Sequence, residues 1–90
     1  MTFGRNKMNP KNTAKIASRD DLAAFIDRML KDYSKSGTEW ENRDIPSFLE
    51  AFQAWLQASD NYYNNQNIDL SSVNPWRRIG DAFAAARIYE

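Results

Sequence analysis

The side chains that most often carry chemistry are scarce in this sequence. It has no cysteine and no histidine, which excludes a disulfide framework, a thiolate metal site and the usual imidazole acid, base or zinc ligand. Carboxylates, tyrosines and arginines remain. The acids Asp20, Asp21, Asp27, Asp32, Glu39, Glu41, Asp44, Glu50, Asp60 and Asp69 are spread along the chain. Paired carboxylates can bind magnesium or hydrolyse glycosides, but no spacing here matches a ligand set. Asp60 and its neighbouring asparagines lack the glycine and terminal glutamate of a calcium loop. Without a positioned nucleophile, acid and base, the reading is of a non-enzyme with no catalytic residue, no metal site and no cofactor, a carboxylate-dependent enzyme being the weakest of the alternatives.

Three groups of residues are better suited to binding. Tyr62 and Tyr63, close to Trp55 in the chain, supply rigid area with a polar tip, as a partner-binding platform needs. The plainer alternative puts one tyrosine in the core and the other at its rim. Trp40 stands between Glu39 and Glu41 and is expected to pin a polar connection onto the body. Arg77 and Arg78 open a helical stretch where a cation opposes the helix dipole, so one of them should reach a carboxylate such as Asp44 or Asp81, or one on a partner. Arg87 already suits a helix end. The candidate partner contacts are therefore Glu39, Trp40, Glu41, Tyr62, Tyr63 and Arg77.

The formal charge is zero, yet it is distributed unevenly. Residues 1–19 carry five bases and no acid, whereas residues 20–90 carry seven bases and twelve acids. Within the basic part, Arg5, Lys7, Lys11 and Lys15 could contact phosphates with salt-sensitive affinity. They lack interleaved aromatics or a recognition helix, so nucleic acid is the weaker alternative. No stretch nears the roughly 18 consecutive apolar residues of a membrane span, and the start lacks the apolar run of a secretory signal. Together with the absence of cysteine, this points to the cytoplasm and away from a membrane.

Residues 1–17 show no apolar period and read as a flexible basic arm. Residues 18–90 read as one helical domain, since 90 residues rarely support more than one core. Ser18 is a helix cap with Asp21 three residues on, and Leu22, Phe25, Ile26, Met29, Leu30 and Tyr33 then recur on one helical face. Gly37 is placed to end that helix in the left-handed conformation. Asp44 caps a second helix with Pro46 in its first turn, and Phe48, Leu49, Phe52, Trp55 and Leu56 carry its period into the asparagine-rich run 61–67, where it should stop. Ile68, Leu70 and Val73 should tack the next loop down. Asn74 and Pro75 open a third helix through Trp76, Ile79, Phe83 and Ala86, whose alanines allow close approach of a neighbour. Gly80 is out of place there, where a better helix former is expected. The fold class is all-α, a small three-helix domain around one aromatic-rich core.

The second half of the chain also carries a pattern: Phe48-Leu49-Glu50-Ala51, Ala54-Trp55-Leu56, Tyr62-Tyr63, Trp76-Arg77 and the ending Ala85-Ala86-Arg87-Ile88-Tyr89-Glu90. It resembles a family of small bacterial helical proteins of unknown function with the pattern F-L-E-A, A-W-L, Y-Y, W-R and a terminal A-A-R-x-Y-E. Small bacterial proteins of this build in turn resemble immunity or antitoxin partners that cover the active site of a toxin. An acidic body with aromatic anchors fits the basic groove of a nuclease. The expectation is a protein-binding module, with a homodimer face as another use of the same aromatic patch.

Overall fold

The computed structural model describes residues 13–88, and Arg5, Lys7, Lys11, Tyr89 and Glu90 lie outside them. From Arg19 to Ala86 of the described residues, three α-helices are joined by two short 3-10 turns: α1 (Arg19–Ser36), the turn Gly37–Glu39, α2 (Ile45–Asn65), the turn Leu70–Ser72 and α3 (Pro75–Ala86). Each helix begins where local chemistry dictates. The Ser18 hydroxyl accepts from the Asp21 amide at 3.1 Å, and Asp21 in return accepts from the Ala17 amide at 3.0 Å. Asp44 accepts from the Ser47 amide at 2.9 Å and Asn74 from the Arg77 amide at 2.9 Å. Each cap satisfies donors that the first helical turn leaves open.

The helices do not form a symmetric bundle. The short helix α3 packs against both α1 and α2, while α1 and α2 scarcely touch each other. Its small residues make this arrangement feasible: Gly80, Ala82, Ala84 and Ala86 are all buried, together with Asp81 and Arg87. The expected single core is accordingly two clusters on either side of α3. One joins Ile16, Phe25, Met29 and Ala84; the other joins Trp55, Tyr63, Val73 and Ala82. They meet where Phe83 packs on Phe52 at 4.9 Å between ring centroids.

This asymmetry corrects the expected helix faces. Of the six apolar residues anticipated on the inner side of α1, only Phe25 and Met29 are fully buried. Ile26, Leu30 and Tyr33 are 38%, 64% and 43% exposed, because α1 has a neighbour on one side only. Leu49 on α2 and Trp76 on α3 are also exposed.

Two glycines act differently from the sequence reading. Gly37 has φ −58°, a right-handed value, so it does not end α1 through the left-handed region. A Cβ there would sit 3.0 Å from the Tyr33 ring, tighter than ordinary contact. At Gly80 a Cβ would fall 2.5 Å from Ile16 Cδ1, which explains a poor helix former inside α3. Ile16 is 2% exposed and Thr13 0%, and Asn74 Nδ2 donates to the Ile16 carbonyl at 3.0 Å. The packed body therefore begins before residue 18: residues 13–17 belong to it, and one isoleucine without an apolar period around it was enough to tie them down.

Candidate protein-docking groove

The aromatic residues sort into two separate places. Phe48, in the first turns of α2, and Tyr62, near its end, are fourteen residues apart, or about 21 Å along a helix rising 1.5 Å per residue. Trp40 lies with Phe48, while Tyr63 and Arg77 lie with Tyr62. The expected contact residues thus do not form one surface.

At the far end of α2 the tyrosines are structural. Tyr63 is 0% exposed, its hydroxyl donates to Asp81 Oδ2 at 2.5 Å, and the guanidinium carbons of Arg77 and Arg78 lie 5.8 and 5.2 Å from its ring centre. Arg78 donates to the Ser59 hydroxyl and to Asp60 Oδ1 at 2.8 Å. Arg77 Nε is 3.4 Å from Asp81 Oδ2, close enough for an ion pair, but makes no directed hydrogen bond. Of the two carboxylates proposed for these arginines, Asp81 is used and Asp44 is not. Burial first, and then the Asp81 carboxylate, push the Tyr63 phenol well above its ordinary value, opposed by the two arginines. The shift favours the protonated phenol, the reverse of what a tyrosine nucleophile or base requires. Tyr63 presents no surface to a partner, Arg77 is largely buried, and Tyr62 is half-buried against Trp55 and Tyr63 at 5.3 and 5.4 Å. These three are better described as the joint between α2 and α3 than as contact residues.

The other end of α2 is different. After α1 the chain turns through Gly37–Glu39, and Trp40 folds back over the gap between α1 and α2. Its indole Nε1 donates to Asp32 Oδ2 at 2.9 Å. Its ring meets Tyr33 edge-on at 5.1 Å and stacks near Phe48 at 6.0 Å. Phe48 in turn packs on Phe83 of α3 at 6.2 Å. Asn42 fixes the loop to the end of α3, its amide donating to the Arg87 carbonyl at 3.0 Å and its side chain to the Ala86 carbonyl at 2.9 Å.

These contacts leave an open apolar groove of ≈190 Å³ lined by Trp40, Asn42, Arg43, Asp44, Ile45, Phe48 and Leu49. Ile45 and Leu49 are 74% and 57% exposed. With the half-buried Phe52 and Leu56 they follow the i, i+4, i+7, i+11 spacing of one helical stripe. On α1, Ile26, Leu30 and Tyr33 make a similar exposed stripe that ends at Trp40. Exposed apolar side chains gathered at one groove, as Ile45 and Leu49 are, are a feature of interaction sites rather than scattered exposure.

The charged residues that line the groove are one acid and one base, Asp44 and Arg43. Glu39, Glu41 and Glu50 are exposed. The Ser47 amide and hydroxyl, bound to Asp44, hold its carboxyl below the usual carboxylate range, so its charge persists. Lys15, the one candidate phosphate contact within the described residues, is exposed. No helix among the described residues is long and apolar enough to cross a membrane.

A family described as being of unknown function, DUF7660, matches residues 18–90. The chain belongs to this family. The match spans all three helices, the Trp40 loop and the groove of this DUF7660 protein, and it starts just after Ile16, whose side chain the body nevertheless buries. No curated protein and no solved structure matches the chain.

Of the sequence candidates, Trp40 lines the groove, and Glu39 and Glu41, its exposed neighbours in the chain, do not. Ile45, Leu49 and Phe48 were read as core or passed over. The signal that could have marked them is the second apolar stripe on α2, offset from Ala51, Trp55, Ser59 and Tyr63, which are the residues buried against α3.

Proposed function

We propose that this protein is a non-enzymatic binding module, acting in the cytoplasm, whose partner is another protein held in the groove that the Trp40–Asp44 loop forms with the start of α2. The observation that supports this is the pair of aromatic rings, Trp40 and Phe48, that line the groove beside the exposed side chains of Ile45 and Leu49. A buried aromatic centre inside a polar rim is how protein interfaces concentrate their affinity. In its finer form the reading is an immunity or antitoxin-type protein that neutralises a basic toxin or nuclease by covering it, since the exposed Glu39 and Glu41 on either side of Trp40 in the chain would attract a basic surface.

The test compares the tagged full-length chain with a Leu49→Glu variant for proteins retained from extracts of the source organism. The expected result is one stoichiometric partner held by the parent chain and released by Leu49→Glu, at unchanged melting temperature. Retention of the same partner by both chains refutes the groove as the binding surface. For the finer form, the captured partner expressed alone should arrest growth, and co-expression should restore it.

A further inference from the structure

We propose that the groove is occupied by the chain's own Tyr89-Glu90 segment, with the Tyr89 ring seated against Trp40 and Phe48 and the Glu90 carboxylate meeting Arg43. This is an autoinhibitory contact, which a partner must displace. It goes beyond the binding-module reading and does not depend on it, since a docked segment of the same chain needs no partner.

The first support is where the described residues stop. Asn42 lines the groove. It also holds the end of α3, its amide donating to the Arg87 carbonyl at 3.0 Å and its side chain to the Ala86 carbonyl at 2.9 Å. Arg87 is buried and its Nε donates to the Ala84 carbonyl at 2.9 Å, so the point of departure beside the groove is fixed. Tyr89 follows two residues later, which places its Cα within about 7 Å of that of Arg87. A link this short keeps the ring at an effective concentration on the order of millimolar or above, so that even a modest contact is populated. The family match runs through residue 90, four residues past the end of α3, so the segment lies inside the family's domain.

The second support is fit. A cavity of about 150 Å³ accepts a benzene, and the groove of ≈190 Å³ has room for about one aromatic ring. Tyrosine suits an open site of this kind, because its ring is apolar and its hydroxyl can stay in water. Charge agrees with size. Asp44, the acid among the lining residues, is bonded through its two oxygens to the Ser47 amide at 2.9 Å and the Ser47 hydroxyl at 3.1 Å. Arg43 enters no ion pair among the described residues. The groove's uncommitted charge is therefore positive, and the positive dipole end of α2 beside it favours an anion as well.

Nuclear Overhauser measurements on the full-length chain test the inference. The expected result is cross-peaks from the Tyr89 ring to the methyl groups of Ile45 and Leu49, kept on dilution and absent between differently labelled copies in a mixed sample. Tyr89 shifts at random-coil values without those cross-peaks overturn the inference. So do cross-peaks between copies, because the occupant is then a second chain. Leu49→Glu should return the Tyr89 shifts to random-coil values. Arg43→Glu should lower the docked fraction severalfold, and Glu90→Arg in that background should restore it; unchanged shifts in Arg43→Glu overturn the carboxylate pairing. Circular dichroism confirms that each variant is folded. In the capture experiment above, Tyr89→Ala should retain more of a groove-bound partner than the parent chain does. A docked Tyr89 with no captured partner leaves this inference standing and removes the binding-module reading.

Discussion

Replacing Tyr63 with phenylalanine keeps the ring that fills the α2–α3 interface and deletes only the hydroxyl that donates to Asp81. Because Asp81 is only 7% exposed, water cannot readily replace that donor. The loss of a hydrogen bond to a charged group should destabilise the protein by about 1.5–3 kcal/mol near neutral pH. For a domain of this size, each kcal/mol lowers the melting temperature by about 4–8 °C. The pH dependence adds a sharper test. The folded phenol is raised above its ordinary value by burial and by Asp81, whereas in the unfolded chain it titrates near about pH 10. Its stabilising contribution is complete below about pH 10. Above that the unfolded chain gives up the proton while the folded chain keeps it, so stability falls with a limiting slope of about 1.4 kcal/mol per pH unit. Between about pH 10 and about pH 11 the unfolded phenol goes from half to about nine-tenths ionised, a loss of about 1 kcal/mol. Tyr63→Phe cannot lose this term. About 0.4 kcal/mol is already lost by about pH 10, so urea unfolding of both proteins at neutral pH and at about pH 11 should show the stability gap between them narrowing by about 1.4 kcal/mol. Tyr62, which burial also raises, is common to both proteins and cancels in the difference. Parallel pH profiles would refute the account of Tyr63 as a buried, protonated donor.

Two further predictions concern the ends of the fold. Ile16→Ala should destabilise the protein by about 2–5 kcal/mol, as for other buried large-to-small changes, and a chain starting at Ser18 should melt below one starting at Thr13; equal melting would show that residues 13–17 do not belong to the body. Trp40→Phe retains a ring between Tyr33 and Phe48 but loses the indole N–H donated to Asp32, which should lower stability by about 1.5–3 kcal/mol in chemical denaturation and slow-exchange protection of the Gly37–Glu39 turn with it.

The sequence by itself determined what depends on neighbours a few residues apart. Ser18, Asp44 and Asn74 could be read as caps because each bonds an amide three residues on. The end of α2 in the asparagine run could be read because those side chains compete locally with the helix. The pinning of the loop by Ile68, Leu70 and Val73 also followed from their apolar character, and the structure packs all three on the Trp55–Tyr63 cluster. Periodicity gives the apolar residues of a helix but not which of them a neighbour covers. Only the tertiary structure decided that α1 and α2 would share α3 without covering each other. That arrangement exposes Ile26, Leu30, Ile45 and Leu49, buries Tyr63 beyond reach of a partner, and separates the tyrosines from Trp40 by most of a helix. Gly80 shows the same limit at one residue: as part of α3 it is a poor choice, and its reason lies in Ile16, sixty-four residues earlier in the chain, whose methyl occupies the space a side chain would need.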